Sequence, residues 1–180
     1  SMSAKGIGNA VLGFQSLSAD DVPIVRQLIS RFAKYVRECY QPLDGQAIAS
    51  IMIGLRSSSV ECNEVNELIE AVVEHMTQRW HGEIGQRSDK RPALKSKEVS
   101  MILCGLQSTQ KSTESVETLI NTTLTIARKC RIWLNNGNEI TAALTGLQRL
   151  GNDGLASRAS IKYIIDSLQR LQRQHDHYHR

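Results

Sequence analysis

Apolar positions recur along this chain in four short blocks that share one register. Each block is anchored on a glycine: Gly13, Gly54, Gly105 and Gly146. Apolar or small residues stand six, three and two positions before the glycine and one after it. They are Ile7, Ala10, Val11 and Phe14; Ile48, Ile51, Met52 and Leu55; Val99, Ile102, Leu103 and Leu106; and Ile140, Ala143, Leu144 and Leu147. Spacing of i, i+3, i+4, i+7 lines one face of a helix. A polar turn follows each block, and then a second helical pattern. Those stripes run through Val25, Leu28, Ile29, Phe32 and Val36; Val65, Leu68, Ile69, Val72, Val73 and Met76; Val116, Leu119, Ile120, Leu124 and Ala127; and Ile161, Ile164, Ile165, Leu168 and Leu171.

The glycines are separated by 41, 51 and 41 residues. A fixed period near forty is the signature of stacked helical repeats. The pattern therefore predicts an all-α chain, a right-handed α-solenoid of four stacked helix-turn-helix repeats. Residues 1–4 read as a leader or expression scar on a segment of a larger protein. Repeats are expected over 5–42, 43–95, 96–137 and 138–180. A glycine inside a helix costs about 1 kcal/mol relative to alanine. Four in register point to close approach of a neighbouring helix backbone, with a helix-terminus role as the other account.

Local signals place the element ends. Ser18 is the expected N-cap of the second helix, with Asp20, Asp21 and Pro23 suited to its first turn. Asp44 is the expected N-cap of the third. The extra ten residues of spacing fall in Trp80 to Lys95, an expected irregular loop containing Gly82, Gly85 and Pro92. Insertions in a repeat array usually map to one face, often the binding face.

The stretch Leu43-Asp44-Gly45-Gln46-Ala47-Ile48-Ala49-Ser50-Ile51-Met52-Ile53-Gly54-Leu55-Arg56, followed by an acidic second helix, resembles the helical-hairpin repeats of octotricopeptide and FAST-kinase-like organellar proteins. It is more broadly similar to tetratricopeptide and HEAT-type arrays. The resemblance covers all four repeats in length and helix pattern. It implies a stack of hairpins that binds a partner, and it carries no base-reading residue across to this chain.

Charge adds a gradient. Residues 1–90 carry nine Lys/Arg and eleven Asp/Glu, and residues 91–180 carry thirteen and seven, so an acidic half precedes a basic one. This is not a uniformly basic nucleic-acid groove. Candidate partner-binding residues are Arg79, Trp80, Arg87, Lys90 and Arg91 in the insertion, and Arg128, Lys129, Arg131, Arg149, Arg158 and Lys162 in the basic half. Around Arg79-Trp80-His81 an aromatic and several cations gather, a pairing that suits stacked bases and phosphates. Glu61, Glu64, Glu67, Glu70 and Glu74 form a candidate acidic docking ridge for a basic partner.

Catalytic chemistry finds no foothold in the motifs. There is no phosphate-binding glycine loop, no HExxH and no GxSxG. Cys39, Cys62, Cys104 and Cys130 form no CxxC pair, which reads as a reducing, intracellular setting. His175 and His179 would be i, i+4 neighbours on a helix, two ligands where a metal site needs three or four. The expectation is a non-enzymatic scaffold without metal or cofactor that engages a protein partner, with RNA as the alternative ligand and self-association possible through the ends of the array. No apolar run reaches the roughly 18 residues of a membrane span.

Overall fold

The computed structural model describes residues 2–83, 94–150 and 155–178. Among them are eight α-helices and no strand: α1 (Ala4–Leu12), α2 (Pro23–Arg37), α3 (Gly45–Leu55), α4 (Asn63–Glu83), α5 (Ser96–Cys104), α6 (Glu114–Lys129), α7 (Gly137–Leu147) and α8 (Leu155–Tyr178). They form four consecutive pairs. The odd helices pack side by side in the order α1, α3, α5, α7, and the even ones in the order α2, α4, α6, α8. Packing between corresponding helices of successive pairs is more extensive than packing within a pair. Each pair therefore buries its stripes mainly against its neighbours, as stacked repeats require.

The helix starts keep the period of the sequence. Ser3, Asp44, Lys95 and Asn136 each stand ten residues before their glycine and occupy the N-cap positions of α1, α3, α5 and α7. Ser3 Oγ, Asp44 Oδ1 and Asn136 Oδ1 accept the backbone N–H three residues on, at 3.1, 2.8 and 3.0 Å. Lys95 cannot accept a hydrogen bond, and there Glu98 reaches back to take the Lys95 N–H at 2.8 Å. Each arrangement satisfies a helix-start donor that would otherwise be orphaned. The folded unit includes Ser3 and Ala4, since Ser3 caps α1 and Ala4 is buried.

Two local expectations are corrected. Ser18 does not cap α2. Its hydroxyl closes a tight turn by accepting Asp20 N–H at 3.1 Å, and Val22 holds the N-cap position with no side-chain bond, ahead of Pro23. Ring geometry at Pro23 fixes φ for the first helical residue and removes one donor, so the start needs less capping. The segment from Trp80 to Lys95 is also not irregular from its outset, because α4 continues to Glu83.

The predicted stripes make the core. In the second and third pairs every residue of the stripes named above is buried. Departures come at the ends. Phe14, Leu28 and Phe32 are only half-buried, and Leu144, Ile161, Ile165 and Leu168 are exposed. Both sets belong to pairs with a neighbour on one side only, whereas the second and third pairs have one on each side.

The glycines act by contact. A Cβ on Gly54 would overlap the carbonyl of Val11, one on Gly105 the carbonyl of Met52, and one on Gly146 the carbonyl of Leu103. In all three the obstructing residue lies two before the glycine of the preceding pair. Gly13 has no preceding pair, and the nearest atom to a Cβ there is its own helix's Ala10 carbonyl oxygen at 3.2 Å. Close backbone approach thus accounts for three of the four. Gly13 and Gly105 also serve as C-cap residues, both with right-handed helical φ, so their freedom to adopt positive φ is not used.

Candidate binding surfaces

Three surfaces could meet a partner. The first is the outer face of the last pair. Every large apolar side chain left exposed among the described residues lies between Met2 and Tyr40 or between Leu144 and Leu168. Leu144, Ile161, Ile165 and Leu168 are 47–49% exposed. Their counterparts in the second and third pairs, counted from the glycine, are Met52 and Leu103, Ile69 and Ile120, Val73 and Leu124, and Met76 and Ala127. None of these exceeds 8%. In the first pair the same count gives Val11, which is buried, Leu28 and Phe32, which are half-buried, and Tyr35, 42% exposed, so these positions are fully covered only in the pairs with a neighbour on both sides. Exposed apolar residues that cluster on one face mark an interaction site more often than scattered ones do.

The second surface is a cleft of about 340 Å³ between the start of α5, the segment after α6 and the later turns of α8. Lys95, Arg131, Trp133 and Arg170 line it. Arg131 adopts a left-handed backbone, φ 54°, which turns the chain out of α6. Trp133 stacks on Tyr163 with centroids 5.4 Å apart and planes 17° from parallel, and the Arg170 guanidinium lies 4.6 Å from the indole centroid. Burial pushes the Tyr163 hydroxyl well above its ordinary range, so it stays a donor to the Ile132 carbonyl at 2.8 Å. The Trp133 Nε1 is buried with no hydrogen-bond partner among the described residues. Sequence reading placed the meeting of an aromatic with cations at Arg79-Trp80-His81 alone. The fold builds another from Lys95, Arg131, Trp133 and Arg170, which are too far apart in sequence for local pattern to reveal.

The third surface is the acidic side of α4. Glu64, Glu67, Glu70 and Glu74 lie on the helix, with Glu61 just before it. Three of the five are engaged within the chain. Glu74 pairs with Arg37 of α2 at 3.2 Å, Glu70 accepts from Asn66 at 2.7 Å, and Glu64 accepts from the Cys62 thiol at 3.0 Å. That thiol hydrogen bond, first among its causes, holds the Glu64 carboxyl below its usual range. The Arg37–Glu74 pair is solvent-exposed, so it contributes little to stability. Glu61 and Glu67 remain exposed.

The predicted basic residues divide. Arg128 and Lys129 close the last turn of α6, where cations suit the negative end of a helix. Arg128 donates to the Ala159 carbonyl at 3.2 Å, which brings it beside the stretch of α8 that carries Arg158 and Lys162, both exposed. Arg131 belongs instead to the cleft. Arg149 is exposed just beyond α7. Arg79 and Trp80 fall on the backbone of α4, and their side chains lie outside the described residues, as do Arg87, Lys90 and Arg91 and the side chain of His175 and the whole of His179.

Among the described residues no three His, Cys, Asp or Glu side chains come together in a way that could hold a metal ion, and no helix is long and apolar enough to cross a membrane. The four cysteines are free thiols. Burial, first among the causes, raises the Cys62 and Cys104 thiols above the ordinary thiol range. No family model, curated protein or solved structure matches this chain.

Proposed function

We propose that the chain is a non-catalytic binding scaffold, a right-handed α-solenoid that engages a protein partner through the exposed apolar face of its last pair. One observation carries this reading: Leu144, Ile161, Ile165 and Leu168 are half exposed where their counterparts in the inner pairs are buried. The four in-register pairs in two layers support the solenoid architecture. An apolar face set on two adjacent helices offers a helical partner a surface to pack on.

RNA binding is the second reading, and the cleft around Trp133 favours it through its three cations. It ranks below the first because the indole is already stacked on Tyr163 and lies under Arg170, so a base would have to displace those contacts.

The two are separated by a pair of measurements on the whole chain. Immobilised protein is used to retain partners from a cell extract, and Ile165→Glu serves as the comparison. The scaffold reading expects protein partners that the substitution releases. Labelled single-stranded RNA is titrated across a salt series alongside. Tight RNA binding that weakens steeply with salt, together with protein retention indifferent to Ile165→Glu, sinks the scaffold reading in favour of the nucleic-acid one.

A further inference from the structure

We propose that the two ends of the array fit each other, so that a second copy of this chain docks head to tail and continues the stack. The inference deepens the end-face reading by naming an occupant.

The argument comes from contacts at the internal joints, one found at all three, one at two, and one at the joint of the second and third pairs. First, the residue two before each glycine lays its carbonyl against the glycine of the next pair: Val11 on Gly54, Met52 on Gly105, Leu103 on Gly146. The unused members of this series are Leu144 at the tail and Gly13 at the head. Gly13 is exposed, with only its own helix close by. Second, the residue three after a glycine donates its hydroxyl to the carbonyl two after the preceding glycine. Ser57 donates to Gln15 at 2.7 Å and Ser108 to Arg56 at 2.6 Å. The unused members are Ser16, exposed at the head, and the carbonyl of Gln148 at the tail. Third, Thr113, eight after its glycine, donates to Asn66, twelve after the preceding one, at 2.9 Å. The same count gives Asp21 at the head and Arg158 at the tail, both exposed and of opposite charge. Docking would set an ion pair where the joint of the second and third pairs has a neutral hydrogen bond.

Apolar surface agrees. Leu17 is 44% exposed at the head, four residues after Gly13, whereas Ser58, Thr109 and Leu150 at that position are 5% exposed or less. A head-to-tail joint is heterologous, so repetition closes a ring or extends a filament according to its rotation.

The test is sedimentation velocity from low micromolar to submillimolar protein, on the whole chain and on Asp21→Arg and Arg158→Asp. Both substitutions are at exposed positions, and circular dichroism checks that each variant keeps its helix content. The wild-type chain should show a mass that rises with concentration. Each variant alone should lose that rise, because its joint sets like charges face to face. An equimolar mixture of the two should regain it, since the introduced arginine then meets the introduced aspartate and the other joint is native. A wild-type chain that stays monomeric throughout overturns the proposal, as does association that the single substitutions leave unchanged or that the mixture fails to restore. A monomeric chain that still retains protein partners through Ile165 overturns self-stacking alone and leaves the end-face reading standing.

Discussion

Single residues in this chain are fixed by what approaches them. Tyr163 is fully buried yet polar, and its hydroxyl meets the Ile132 carbonyl while its ring stacks on Trp133. Tyr163→Phe keeps the ring and removes the donor, leaving the Ile132 carbonyl short of a partner. The expected loss is about 1–2 kcal/mol of unfolding free energy, read from urea denaturation. The cysteines give a chemical prediction. The Cys62 and Cys104 thiols are raised by burial, so at neutral pH they hold less of the reactive thiolate than an ordinary exposed cysteine. Their reaction with a disulfide reagent should be slower than that of a free thiol in native protein, and should quicken towards the free-thiol rate on unfolding. Fast labelling of both in the native state would contradict that. The apolar stripes at this scale were legible in the sequence, since a side chain's place on a helix follows from spacing alone. The exposure of Leu144, Ile161, Ile165 and Leu168 was not, because it depends on which neighbouring helices pack around them.

Elements begin in register because the capping position recurs. Three of the four odd helices carry a side-chain cap ten residues before the glycine, and α5 does not. The asymmetry gives paired expectations. Asp44→Ala should cost about 1 kcal/mol, and Lys95→Asn should stabilise by roughly 0.5–1 kcal/mol, both measured by chemical denaturation. A loss on Lys95→Asn would show that the Glu98 carboxylate already satisfies that helix start. Asp44 was readable as a cap because it opens an apolar run directly. Ser18 misled because a turn and a cap use the same serine chemistry, and Pro23 sets the start of α2 instead. A second polar device recurs at this scale. Buried Leu43 donates its N–H to His75 Nε2 at 3.0 Å, and buried Leu134 donates to Ser167 Oγ at 3.3 Å. His75 and Ser167 both stand 21 residues after their glycine. Different side chains perform one task there, so a search for repeated residue types passes over it.

At the scale of the molecule, like helices of successive pairs pack on one another, and the glycines set how closely the odd layer stacks. Four glycines in register announced the repeat in the sequence. They did not announce that the contact runs one way along the chain, always from a carbonyl two before one glycine to the next glycine. That polarity gives the molecule unlike ends, and it separates Gly13 from its three counterparts. The cleft around Trp133 was hidden for a related reason: Lys95 and Arg170 meet only once the pairs are stacked. The central claim is that close backbone approach, rather than helix termination, accounts for the glycines after the first. It is tested most directly by the unfolding free energies of Gly13→Ala, Gly54→Ala, Gly105→Ala and Gly146→Ala, measured side by side. A Cβ at the last three must push a neighbouring backbone away, so each should lose about 1–3 kcal/mol. Gly13→Ala meets no neighbouring pair and keeps a right-handed helical φ, so it should be neutral or gain up to about 1 kcal/mol. Four variants that shift stability alike, in either direction, would contradict the account.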